Sequence, residues 1–336
     1  MVDNFPVLNW KNDEYYSQHP SRKQVRDACL QRVDWTALCE YASSLNAGKP
    51  CRFLDQSTIG GVHLIRILSF GDTQWIARVQ LEPSTPTTES LLRAEIDTKE
   101  LIRARTDIPV PKVYGYKLHD ANSIRAAFIL MEFLPGSSAM DADGGYEVHH
   151  GSILPERRSF FYKQVASIQV QLASIRLPKI GTVIKRDNNS VDIGPIPGLG
   201  RPFSTATEFF KAWAKHAKFP LSDRDIREFT KNGPTEEILS SIHNFPRRLR
   251  KLASRISIND IGPFPLYHPD FYHSNIIVDG SFRVLGVIDW EGACTIPWDL
   301  VEPPLFLGIV PPAMDDPRNY KENGQPWDED SIQRLN

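Results

Sequence analysis

This chain has no apolar run long enough to cross a bilayer. The longest, residues 126–131, falls far short of the roughly 20 residues a spanning helix needs. Neither charge sign is in excess: 39 Lys and Arg against 41 Asp and Glu leave a formal net charge of -2. That balance argues against a nucleic-acid partner, which calls for a basic footprint, and against a polybasic membrane anchor. Cysteine is scarce. Cys29, Cys39, Cys51 and Cys294 form no CxxC pair and no Cys/His spacing of a zinc site, so reduced thiols are expected. The first ten residues carry Asp3 and Asn4 where a secretory signal would need a basic and then an apolar stretch. On these grounds a cytoplasmic location is expected. Internal repeats and low-complexity tracts are missing too.

What is present is the composition of a globular protein, 41% hydrophobic and 24% charged, over 336 residues that leave room for two domains. Residues 22–47 read as one or two helices, with Asp34 as an N-cap and Trp35, Leu38, Cys39, Ala42 and Leu45 on one face. Two β-branched-rich runs, 62–68 and 75–81, flank Phe70-Gly71-Asp72-Thr73, a hairpin signal. A helix follows over about 88–105, ended by Pro109 and Pro111, and then strands over 112–118 and 126–133. Beyond Leu134-Pro135-Gly136 the chain reads as mostly helical, over 157–175, 205–217 and 235–256. Residues 186–203, rich in Asn, Gly and Pro, read as a long loop. One small hairpin is expected around Asp279-Gly280. The expected units are an N-terminal helical extension (1–50), a β-rich lobe (51–134) and a helical lobe (135–336).

The sharpest chemical signal is His268-Pro269-Asp270, with Asn275 five residues after the Asp and Asp289 nineteen after it. Phosphoryl transfer needs one carboxylate to accept the proton of an attacking hydroxyl. It also needs a separate carboxylate and a neutral amide oxygen to hold hard Mg²⁺ ions. Alone, His-x-Asp-x4-Asn is a modest motif; the strand running into Asp289 and the β-rich segment upstream strengthen it.

At these residues the chain resembles the aminoglycoside phosphotransferase/choline kinase-type small-molecule kinases of the kinase-like superfamily. Residues 266–300 are similar to the family's fungal branch, and the resemblance runs from about 55 to 312. It implies an α+β, protein-kinase-like two-lobed fold that uses ATP and Mg²⁺. It implies Asp270 as catalytic base, His268 as orienter of the catalytic loop, and Asn275 and Asp289 as metal ligands. Gly60 and Gly61 stand where a phosphate-covering loop belongs, without matching GxGxxG. Arg78, in Trp75-Ile76-Ala77-Arg78-Val79, stands where the family carries its ATP-binding lysine, and guanidinium can fork onto phosphate. Glu95 lies on or beside the apolar face of its helix, where a carboxylate needs a partner, and Arg78 is the one expected. Glu132 and Phe133 fall in the hinge whose backbone would meet adenine.

The resulting expectation is an ATP- and Mg-dependent phosphotransferase acting on a hydroxyl of a small molecule. The short segment from Asp289 to Pro297 leaves little of the activation segment on which a protein substrate docks. Two alternatives stay open. One is a pseudokinase binding module, motivated by Arg78 and the irregular glycine turn. The other is a metal-dependent hydrolase using His268, Asp270 and His273. The acidic residues Asp315, Asp316, Glu322, Asp328, Glu329 and Asp330 read as solvated surface.

Overall fold

The computed structural model describes residues 10–149, 152–230 and 233–304; the acidic residues from Asp315 to Asp330 lie outside them. Three helices open the chain: α1 (Asp13–Gln18), α2 (Pro20–Arg32) and α3 (Trp35–Leu45). Asp34 caps α3 by accepting a hydrogen bond from the Ala37 N–H, which satisfies one of the donors a helix start leaves over.

The first sheet is built from β1 (Arg52–Ile59), β2 (His63–Ser69), β3 (Gln74–Gln80), β4 (Val113–Lys117) and β5 (Phe128–Glu132). Its order is β1-β2-β3-β5-β4, every pair antiparallel. Between β3 and β4 runs α4 (Pro86–Arg105), started by a Thr85/Thr88 capping box with Pro86 in its first turn. Strand alternation divides the side chains between two cores. Ala77, Val79, Phe128 and Leu130 face α3 with Leu38 and Ala42. Ile129 and Met131 face α4 with Leu92 and Ile96, and Ile76 packs beside them. The expected hairpin at 70–73 is present, closed by Phe70 N–H donating to Thr73 O at 2.8 Å.

The second lobe contains β6 (Ser137–Ser138), α5 (Tyr146–His149), α6 (Pro155–Ser174), β7 (Arg176–Leu177), β8 (Gly181–Lys185) and β9 (Val191–Gly194). There follow α7 (Ala206–His216), α8 (Asp223–Phe229), α9 (Thr235–Ile256), β10 (Phe264–Tyr267), β11 (Ile276–Val278), β12 (Val284–Val287) and β13 (Cys294–Thr295). Its largest core sets Phe161, Val165, Ile168 and Leu172 of α6 against Ile276, Val278, Val287 and Trp290. Leu101 and Ile102 of α4 reach into the same core, so that helix is shared between lobes.

Two sequence expectations are corrected. The long loop at 186–203 contains β9, which pairs with β8 from Thr182↔Gly194 to Lys185↔Val191. Its Asn-rich stretch is the hairpin turn, with Asn189 at φ 62°, flanked by the β-branched runs Thr182-Val183-Ile184 and Val191-Asp192-Ile193. The helical lobe also carries more than one hairpin: a sheet in the order β7-β10-β13-β8-β9 and another in the order β12-β11-β6. Most of these strands are too short for a period of two to stand out in sequence. Past β13 the chain makes a 3₁₀ turn at Trp298–Leu300.

The corrected hairpin carries its own test. A Cβ at Gly181 would lie 2.2 Å from the backbone oxygen of Gly194, so Gly181→Ala forces the two strands apart. Urea unfolding should show a loss of about 1–3 kcal/mol, and an unchanged midpoint would contradict the β8–β9 pairing.

Candidate active site

The alternation that sends Ala77 and Val79 toward α3 turns Arg78 to the other face, opposite Ile129 in the register and toward α4. Its Nη1 donates to both oxygens of Glu95, at 2.6 and 2.5 Å. Its Nη2 donates to Asp289 Oδ1 at 2.7 Å and to Glu291 Oε2 at 3.2 Å. One guanidinium thus joins a strand, a helix and the second lobe. Arg78 is 7% exposed and Glu95 2%. Burial alone would raise the Glu95 carboxyl, but Arg78 and Lys99 overcome it and hold the group well below the usual carboxylate range.

Lys99 was not singled out from the sequence. It lies one turn beyond Glu95, is 1% exposed, and donates from Nζ to Glu95 Oε1 at 2.6 Å. A signal existed: Leu92, Glu95, Ile96 and Lys99 repeat at helical spacing, so both charged residues occupy the stripe of α4 that must be buried. The helix is also tied to the second lobe. The Lys185 N–H donates to Asp97 Oδ2 at 2.9 Å, and Lys185 Nζ meets Glu100 at 2.8 Å.

The segment from His268 to Asn275 folds onto itself. His268 is 1% exposed; its Nδ1 accepts from the Asp270 N–H at 3.1 Å, and its Nε2 lies 3.0 Å from Ile288 O. A ring nitrogen that accepts carries no proton, so the proton sits on Nε2, which donates to Ile288. Burial lowers this imidazole's pKa and keeps it neutral. The ring therefore ties the start of the loop to the residue preceding Asp289. Asn275 closes the loop's other end, donating from Nδ2 to Asp270 O at 2.9 Å and Asp270 Oδ2 at 2.7 Å. Asp289 takes a left-handed backbone, φ 61°, and Trp290 behind it is fully buried with its indole N–H on Val287 O.

Between the lobes opens a cleft of about 420 Å³. Gly60, Gly61, Arg78, Glu95, Glu132, Phe133, Asn275 and Asp289 all line it, as do Lys99 and His63. Asp270 is not among the lining residues; it is exposed, one hydrogen bond from Asn275. The glycine turn is held from outside by the N-terminal helices. Arg22 donates to Gly60 O at 2.8 Å, and Tyr16 Oη accepts from the Ile59 N–H at 3.2 Å. Glu132 turns its carboxylate to the Lys112 N–H at 3.1 Å.

The donor set suits a hard cation. Both of Asn275's side-chain hydrogen bonds leave from Nδ2, so its amide oxygen, with the Asp289 carboxylate, offers oxygen ligation in the cleft. A transition-metal cluster fits poorly. Both nitrogens of His268 are engaged by backbone, and no group of three His, Cys, Asp or Glu able to hold a metal occurs among the described residues.

Comparisons with known proteins follow the same lines. The chain is 23% identical over 285 residues to the Saccharomyces cerevisiae protein "Altered inheritance of mitochondria protein 9, mitochondrial", covering 68% of this chain and 44% of that protein. It is 25% identical over 217 residues to "Clavilactone A biosynthesis cluster protein Y" of Ampulloclitocybe clavipes, covering 60% and 49%. The chain thus spans less than half the length of these curated relatives. Among solved structures, the aminoglycoside phosphotransferase APH(4)-Ia in ternary complex with ADP and hygromycin B aligns with 79% of this chain and 74% of its own, at 14% identity and TM-score 0.48. The cytoplasmic expectation does not stand against the yeast relatives, which are named as mitochondrial. It rested on tests for secretory and membrane-spanning segments, neither of which bears on a mitochondrial address. No described helix is long and apolar enough to cross a membrane. The family model of the APH phosphotransferases matches residues 67–299, well over half of the sequence, and the chain, with its two-lobed kinase-like α+β fold, belongs to the phosphotransferase enzyme family.

Proposed function

We propose that this protein transfers the γ-phosphoryl group of ATP to a hydroxyl of a small molecule. The observation that carries the reading is the convergence of Arg78, Asn275 and Asp289 on one interlobe cleft, with Asp270 one hydrogen bond away at its rim. Asp270, open to solvent, accepts the acceptor's hydroxyl proton. Asn275 holds that carboxylate through Nδ2, and its amide oxygen together with the Asp289 carboxylate would hold the metal. Magnesium, when bound there, supplies charge neutralisation at the phosphate oxygens. Arg78, positioned by Glu95, grips phosphate, and the Gly60–Gly61 turn covers it with backbone amides. The backbone of Glu132 and Phe133 meets the adenine ring. His268 orients the loop as a neutral ring. The work of the site is positioning and electrostatics.

The division of labour follows the chain: 51–134 binds nucleotide, 135–336 carries the catalytic loop and the acceptor, and 1–50 braces the glycine turn. A small hydroxylated acceptor is consistent with the short stretch between Asp289 and Pro297, and with one relative's being named for a biosynthetic cluster.

A second reading, a nucleotide-responsive binding module without turnover, is favoured by one contact. Arg78 Nη2 lies 2.7 Å from Asp289 and engages the carboxylate a metal would need. ATP-consumption assays across hydroxylated small molecules, run beside thermal-shift titrations with MgATP, separate the two. Turnover supports transfer; a Mg-dependent shift without turnover on any acceptor supports the module.

Asp270→Ala should lower kcat by about 10²–10⁴-fold while leaving the thermal shift with MgADP in place. Near-wild-type turnover by that variant would remove Asp270 from the mechanism.

The buried imidazoles predict a pH dependence of stability. Burial lowers His268, and burial with the nearby Arg78 lowers His63 to about 3. Below the ordinary histidine value near 6.5 the unfolded chain takes up protons on both more readily than the folded protein does. Stability therefore falls as pH drops through that value. Urea unfolding at pH 5.5 against pH 7.5 should show a loss of about 1 kcal/mol or more, and a smaller loss in His63→Gln. Equal stability at the two pH values would contradict the neutral assignment.

A further inference from the structure

Both terminal nitrogens of Arg78 are engaged in the cleft: Nη1 by Glu95, Nη2 by Asp289 and Glu291. A phosphate can take either of them only if one of these carboxylates lets go. The second cation in the cleft is Lys99, and its situation differs. Its Nζ touches one carboxylate oxygen, Glu95 Oε1 at 2.6 Å, and its next contact is the sulfur of Met131 at 4.0 Å. Holding an ammonium there is costly, since burial disfavours its charge. Packing does not ask for it. Its stripe neighbours Leu92 and Ile96 are apolar, and Glu95 already has a partner in Arg78.

The charges around the cleft give the position a purpose. Arg78 and Lys99 face Glu95, Asp289 and Glu291, two cations against three carboxylates. Without Lys99 the guanidinium would face the three carboxylates alone, and the site would carry one more net negative charge. An incoming polyphosphate would then meet greater repulsion and a more tightly held Arg78.

We infer that Lys99 is a positioning residue for the nucleotide site: by holding Glu95 from the helix side, it frees Arg78 to exchange Asp289 for phosphate oxygens. The role the family gives to one strand lysine is thereby divided in this chain between a strand arginine and a helix lysine. The inference rests on the phosphotransferase reading above.

The test is nucleotide affinity of the folded protein, measured by calorimetry with MgADP. Lys99→Met and Lys99→Gln should bind about tenfold more weakly or worse, and Lys99→Arg should recover most of the loss. In a Glu95→Gln background the effect of Lys99→Met should shrink, because the carboxylate through which it acts is gone. Two neutral side chains are used so that the test survives if one fails to fold, and thermal unfolding of each variant reports folding separately. Folded neutral variants that bind MgADP as the wild type does would overturn the inference and make Lys99 a merely structural cation. The same loss in the Glu95→Gln background would also overturn it, since Lys99 would then act directly. Wild-type protein that binds no MgADP at millimolar concentration would overturn the phosphotransferase reading itself, and the inference with it.

Discussion

The guanidinium of Arg78 is the constraint on which the cleft depends. It reaches Glu95 on α4 and Asp289 across a sequence separation of 211 residues, so a single planar group sets strand, helix and second lobe against one another. Nearly all of it is out of water, where charges interact strongly and an unpaired one is not tolerated. Buried ion networks are weak evidence for stability, because desolvation offsets much of the attraction. Their consequence here is geometric: the carboxylates can be satisfied in only a narrow range of lobe arrangements.

A neutral group does the corresponding work on the other wall. His268 accepts from the Asp270 N–H and donates to Ile288 O, spanning the 268–275 loop and the end of β12 with one flat ring. The ring packs 4.5 Å from Trp290, which fills the space behind Asp289. A charged imidazole could not accept from the amide, so neutrality is required by the contact itself. The α4 helix closes the frame. Asp97 takes an amide of β8, while Leu101 and Ile102 enter the second lobe's core. Glu95 and Lys99 are therefore carried on a helix fixed at both ends.

Legibility tracked distance along the chain. The contact between Asp270 and Asn275 lay within reach of sequence because its geometry is local: Asn275 returns to Asp270 over five residues. Glu95 could be read because a carboxylate on an apolar stripe demands a partner, and the same argument applied to Lys99 would have found the second cation. In the second lobe the β11–β12 hairpin was legible from Asp279-Gly280, but β6, β7 and β13 were not, since they have two residues each and no periodicity can show over that length. The β8–β9 hairpin was hidden by its own turn, where Asn188 and Asn189 made a loop of what is a reversal between strands. The subcellular address failed for another reason, because it is read by receptors and leaves no requirement in the packing.

By itself the sequence determined which groups face which side of each element, since periods of 3.6 and 2 follow from backbone geometry alone. It placed Arg78 on one sheet face, Glu95 on a buried helix stripe, and an acid and an amide five residues apart. Only the tertiary structure decided that Arg78 spends its second nitrogen on Asp289 and Glu291, that Lys99 shares Glu95, and that Asp270 stands at the rim of the cleft. Those contacts join segments whose separation in sequence is large, and their geometry comes from how two lobes pack, which no local spacing encodes.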